Sequence, residues 1–155
     1  MIKMIRVDYR LLHGQVAVSW TGTLGADALL LVSDTLKNDK LRLQMLALAK
    51  PSGVKVVVKD TQGAIDVIKS GKTDRYSLFI ICETVEIAAK LAREFNIKSV
   101  NLGNISFGEG KQKISKSIYI NEDEKRTIKE LIDEGVDVFI QMVPTENKIE
   151  AKNVI

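Results

Sequence analysis

Ile2-Lys3-Met4-Ile5-Arg6-Val7-Asp8-Tyr9-Arg10-Leu11-Leu12-His13-Gly14-Gln15-Val16 opens the chain and decides how the rest is read. Its first part, Ile2 to Val7, is a short run rich in branched apolar residues, which suits a β-strand. Gln15-Val16-Ala17-Val18-Ser19-Trp20 begins a helix, and Gly14 lets the backbone turn sharply before it. A strand that passes through a tight turn into a helix is the first half of a βαβ unit. Apolar runs recur at Ala28 to Val32, Val54 to Val58, Leu78 to Cys82, Val100 to Leu102, Ile118 to Ile120 and Val136 to Val143. Most are continuous rather than alternating, as expected of strands buried on both faces.

Helical spacing fills the gaps. Leu41, Met45 and Leu48 share one face of the segment after Asp39, which is expected to face the core. Ala64, Ile65 and Ile68 do so after Thr61, and Ile87, Leu91 and Phe95 after Thr84. Ile128, Leu131 and Ile132 follow Asn121, an N-cap candidate with Glu124 in the capping-box position, and Gly135 fits the stop. Strand and helix therefore alternate. The expected fold is α/β: a three-layer α/β/α arrangement with a mostly parallel central sheet of about six to seven strands. No repeat, low-complexity tract or long linker divides residues 1–155, so a single domain is expected.

Composition narrows the function. Twenty-three Lys and Arg against 20 Asp and Glu leave a net charge of +3, and 45% of residues are hydrophobic, which excludes a disordered chain. One Cys excludes an internal disulfide, and one His with one Cys excludes a four-ligand Cys/His zinc site, so no metal is expected. Lys111, Lys113 and Lys116 form the densest basic stretch and read as a solvated loop, not a nucleic-acid face. No apolar run approaches the roughly 20 residues of a membrane helix, and Met1 to Arg6 lacks a signal-peptide h-region. A soluble, cytoplasmic protein is expected. Cys82 and Trp20 read as core residues.

The turn after the first strand carries the chemistry. Asp8, Arg10, His13 and Gln15 place a carboxylate, a guanidinium, the sole histidine and an amide within eight residues. In an open α/β sheet this turn lies on the ligand-binding edge. So does the connection Gly103 to Ser115. A helix N-terminus beginning near Gly14 attracts an anion. Arg10 offers two parallel donors to phosphate oxygens. His13 supplies a nucleophilic imidazole nitrogen. Asp8 either holds the ring or ties Arg10 in place. Together these are the minimal equipment for phosphoryl transfer through a phosphohistidine.

Asp8-x-Arg10-Leu11-x-His13-Gly14-Gln15-Val16 resembles the signature of the IIB components of the mannose/fructose/sorbose family of the bacterial phosphotransferase system. The resemblance runs along nearly the whole chain, through Val32-Ser33-Asp34, Asn101-Leu102-Gly103, Phe107-Gly108-Glu109-Gly110-Lys111 and Gln141-Met142-Val143-Pro144. It implies a phosphotransferase. His13 would accept a phosphoryl group on Nδ1 from a phosphohistidine of the IIA component. It would pass that group to a sugar carried inward by the membrane components IIC and IID. Arg10 is then the phosphate-neutralising partner and Asp8 its orienting neighbour. Gly14, Gln15, Ser33, Asp34, Phe107 and Lys111 are the secondary site candidates. No cofactor is implied, because phospho-IIA delivers the phosphoryl group, and the membrane is met only through the partners. Family members often carry an arginine after Phe107; here Gly108 and Glu109 stand there, and Lys111 is the nearby cation.

His13 must meet two partners in turn, so it is expected on an exposed loop, with Leu11 and Leu12 packed beneath. Positive charge at Arg6, Arg10 and Lys111 to Lys116 is expected to steer an acidic IIA surface. The competing reading is a non-catalytic α/β domain that binds phosphate or a nucleotide for regulation. It has no G-x-G-x-x-G or G-x-x-x-x-G-K-[ST] stretch in its favour.

Overall fold

The computed structural model covers residues 1–155. Its first half runs β1 (Ile2–Asp8), α1 (Gly14–Leu24), β2 (Ala28–Val32), α2 (Lys40–Leu48), β3 (Lys55–Lys59), α3 (Thr61–Lys69) and β4 (Leu78–Cys82). Its second half runs α4 (Val85–Glu94), β5 (Ser99–Asn104), β6 (Gln112–Ser115), β7 (Ile118–Ile120), α5 (Glu122–Asp133), β8 (Asp137–Ile140) and β9 (Ile149–Glu150). Seven strands form the central sheet in the order β3-β2-β4-β1-β5-β8-β9. All neighbours are parallel except β8 and β9. The expected three-layer α/β architecture is present.

Burial explains the continuous apolar runs. Every residue of β2 and β4 is buried, because helices cover both faces of the sheet. α3, α4 and α5 cover one face, over a core of 27 buried residues. α1 and α2 cover the other over only 14, so that layer is the thinner one. The adjacent strands β1 and β4 feed helices on opposite faces. Their carboxyl ends therefore diverge into a crevice, the topological switch point where α/β sheets take ligands.

Three expectations change. Ile118 to Ile120 is a strand but lies outside the central sheet, paired antiparallel with β6 in a two-stranded ribbon. That ribbon includes part of the connection read from sequence as irregular. β8 stops at Ile140 because Gln141 turns its amide onto the Pro144 and Glu146 carbonyls, 3.3 and 2.8 Å away. The third change concerns α2. Leu41, Met45 and Leu48 point to solvent, 67, 61 and 89% exposed, and Leu46 is the buried residue. Apolar residues lie on both sides of this helix, so its periodicity does not choose the inner face. β9, two residues long, carried no sequence signal.

The start of α5 is as expected. Asn121 Oδ1 accepts from Glu124 N–H at 2.7 Å, and Glu124 Oε1 accepts from Asn121 N–H at 3.0 Å. Two otherwise orphaned helix donors are satisfied. Asn121→Ala should lower the stability by about 1 kcal/mol, read as an earlier urea midpoint with an unchanged slope.

Candidate functional site

Alternation along β1 places Met4, Arg6 and Asp8 on the α1/α2 side of the sheet, and Ile5 and Val7 on the other. Arg6 is 1% exposed and Asp8 0%. Two opposite charges so deep are tolerated only when paired and hydrogen-bonded. Arg6 Nη2 donates to Asp8 Oδ2 at 3.0 Å. Its Nη1 donates to Asn101 Oδ1 at 2.8 Å and to the Gln141 carbonyl at 3.2 Å. The guanidinium also lies 5.8 Å from the Trp20 ring centre. Burial pulls the Arg6 pKa below its ordinary value, and Asp8 opposes that pull.

Asp8 serves the loop as well. Its Oδ1 accepts the Arg10 backbone N–H at 3.0 Å, and its carbonyl accepts the Leu11 N–H at 2.9 Å. Its Oδ2 meets His13 Nε2 at 2.9 Å. An ionised carboxylate only accepts, so the Nε2 position carries the proton and Nδ1 keeps the lone pair. Two residues of the loop have left-handed backbone: Gly14 at φ +46° and Leu11 at φ +60°. Leu11 has a side chain, so its conformation is strained. Burial of Leu11 and Leu12 in the thinner core holds it there. His13 is the N-cap of α1, and no side chain caps the first N–H groups of that helix. They stay free for an anion.

His13, Arg10 and Leu12 line a cavity of about 580 Å³ with Arg42, Met45 and Glu83. Arg10 is exposed and has no carboxylate on its guanidinium, so Asp8 holds the ring and does not tie down the Arg10 side chain. The His13 side chain is only 11% exposed, which corrects the expectation of an exposed histidine. Tyr9, Arg10, Gly14 and Gln15 are the exposed members of the loop.

The secondary candidates divide. Lys111 lines the cavity, but its Nζ pairs with Glu124 at 3.3 Å. Ser33 is buried and donates to Glu83, and its Oγ accepts the Thr35 and Leu36 N–H groups, so it shapes the wall from behind. Asp34 faces away from the cavity lining. It accepts from the backbone and hydroxyl of Thr61 at the start of α3. Phe107 is exposed and packs edge-on against Tyr119, with 5.7 Å between ring centres. The basic surface expected at Arg6 does not exist, because Arg6 is buried. Lys116 pairs with Glu146 at 2.7 Å. Cys82 is buried, and burial pushes its thiol pKa up, as expected of a core residue.

Sequence reasoning missed Asn101, Gly103 and the structural part of Arg6. A Cβ at Gly103 would overlap the Arg6 guanidinium, so this position must be bare. The available signal was an arginine between Ile5 and Val7 in the buried half of β1, two residues before Asp8. Arg42 and Glu83, joined at 3.3 Å on the cavity wall, carried no signal.

Known proteins resemble this chain in sequence and fold. The family model described as PTS system sorbose subfamily IIB component matches residues 2–155. The N-acetylgalactosamine-specific phosphotransferase enzyme IIB component 1 of Escherichia coli (strain K12) is 36% identical over 150 residues, 95% of this chain and 94% of that one. The sorbose-specific EIIB component of Lacticaseibacillus casei is 31% identical over 146 residues, 94% of this chain and 89% of its own. The crystal structure of the N-acetylgalactosamine-specific IIB component 1 from Escherichia coli superposes with a TM-score of 0.88 at 34% identity. That match covers 97% of this chain and 99% of the other.

Fold and matches define a phosphocarrier of the sugar phosphotransferase system. The chain belongs to the sorbose subfamily of IIB components. Such components are phosphotransferases that move a phosphoryl group from a IIA component to a sugar, and they work with membrane components IIC and IID. No helix here is long and apolar enough to cross a membrane.

The buried pair can be tested by stability alone. Arg6→Met strands the Asp8 carboxylate and should cost about 3–5 kcal/mol in urea unfolding. Arg6→Met with Asp8→Leu removes both charges and should recover most of the loss. Equal stability of the single and double variants would contradict the pairing.

Proposed function

We propose that His13 Nδ1 is the atom that carries the phosphoryl group. One observation carries this reading: Asp8 occupies Nε2, so the nucleophilic lone pair is left on Nδ1 of a histidine that lines a cavity. The Nδ1 lone pair attacks the phosphorus of phospho-IIA. The donor's P–N bond breaks, and its electron pair returns to the donor ring. The Nε2 proton stays against Asp8, whose charge meets the positive charge the His13 ring gains. Transfer to the sugar runs the same way. A sugar hydroxyl oxygen bonds to phosphorus, the P–N bond electrons return to Nδ1, and the hydroxyl proton leaves to a base on the sugar's side.

Arg10 neutralises the oxygens in flight with a planar fork that no carboxylate occupies. The free N–H groups of α1 at Gly14 and Gln15 support the same charge. Lys111 is a spectator in this scheme, held by Glu124. The reaction draws on no metal or organic cofactor, since the donor supplies the phosphoryl group. The chain works on the cytoplasmic side of the membrane, where IIA reaches it, and touches the bilayer only through IIC and IID. Relatives are named for N-acetylgalactosamine and for sorbose. The amino sugar, named in the 36% identical relative, is the first substrate to try.

Incubation with phosphoenolpyruvate, the general phosphotransfer proteins and a IIA component should add one acid-labile phosphate by intact mass. His13→Ala should abolish it. Absence of covalent phosphate on the wild type would return the chain to a non-catalytic phosphate-binding domain. Arg10→Ala should slow acceptance by about 100-fold or more, since it removes a preorganised donor. Arg10→Lys should recover only part of that rate, because a point charge replaces a fork. Full activity in Arg10→Ala would remove Arg10 from the scheme.

A further inference from the structure

α2 has one apolar stripe more than its fold requires. Leu46 anchors the helix in the core, Asp39 caps it by accepting from Arg42 N–H at 3.1 Å, and Arg42 pairs with Glu83. Leu41, Met45 and Leu48 take no part in that attachment. They sit at i, i+4 and i+7, which is one outward line on a helix. A single exposed leucine is ordinary, but three large apolar residues in line on a nine-residue helix mark a contact surface. The line runs into the site. Met45 lines the same cavity as His13 and Arg10. The exposed cations on this side are Lys40, which precedes Leu41 on α2, and Arg10, which lines the cavity with Met45, whereas Arg42 is committed to Glu83.

We propose that the outer face of α2 is the docking surface for the phosphohistidine-bearing face of the IIA donor. This rests on the His13 reading above. The His13 ring is only 11% exposed, so the donor must seat on the cavity rim, and α2 forms one side of that rim, with Glu83 to Glu86, Lys111 and Glu124 elsewhere around it. The donor brings a doubly charged phosphoryl group, which exposed Arg10 and Lys40 beside this face complement. Turnover requires release, and a short apolar stripe gives a small contact suited to that.

The test uses the full chain with Leu41→Gln and Leu48→Gln together, since neither residue lines the cavity. Both are exposed, so the double variant should melt with the wild type; if it does not, each single substitution carries the test. In steady-state transfer from phospho-IIA, KM for this chain should rise about tenfold or more. The maximal rate should not change. Transfer from the prephosphorylated variant to sugar in vesicles carrying IIC and IID should stay at the wild-type rate. An unchanged KM for the donor step overturns the proposal. So does a defect confined to the sugar step, which would assign the face to the permease. So does a wild-type dimer dispersed by the substitutions with donor transfer intact, which would assign it to a second copy. A wild type that takes no acid-labile phosphate would fail earlier, at His13, and remove the basis for the proposal.

Discussion

The ion pair between Arg6 and Asp8 is the constraint around which this molecule is arranged. Both groups sit near the carboxyl end of β1, the strand between β4 and β5, and neither reaches solvent. Removing two charges from water is costly, and replacement by apolar residues of similar size is often neutral or stabilising. The pair therefore makes sense as a device of geometry. Asn101 and the Gln141 carbonyl fix the guanidinium from β5 and from the turn after β8. Gly103 is bare to admit it, and Trp20 closes it from α1. With Arg6 immobile, the carboxylate of Asp8 is immobile too, and it aims the His13 ring.

The loop above the pair is held just as firmly. Leu11 adopts a left-handed backbone that leucine disfavours, and it is buried at the same time. Its apolar side chain anchors what its backbone resists. The Asp8 carboxylate and carbonyl fasten the Arg10 and Leu11 N–H groups below. The strain falls between Arg10 and His13, where displacement by an ångström would cost much of a transfer reaction. Preorganisation of this kind holds the loop in one geometry.

Much of this was legible in the chain, and what was not shares a cause. β1, its turn and α1 could be read because an apolar strand, a polar cluster and a glycine follow one another locally. The α5 capping box could be read because Asn121 and Glu124 meet within one turn. Arg6 looked like surface charge because its partners at Asn101 and Gly103 are about a hundred residues away, and only sheet order joins them. Asp34 looked like a site residue because it follows a strand on the ligand edge, but Thr61 claims it for a helix start. Phe107 lies in the loop of the family resemblance, yet its ring finds Tyr119. α2 misled for a different reason. Its inner and outer faces are both apolar, and helical period reports a face without saying which way it turns.

Trp20 has a further consequence. It is the single tryptophan of 155 residues, and it touches three parts of the machinery at once. It rides on α1, its ring lies over the Arg6 guanidinium, and its Nε1 donates to the Met142 carbonyl at 2.8 Å. Indole emission responds to nearby charge and to the hydrogen bond at its nitrogen. The chain thus carries an intrinsic optical probe one layer beneath the His13 loop, with no second indole to blur the signal. Loosening of the buried pair is therefore open to fluorescence in the unlabelled protein.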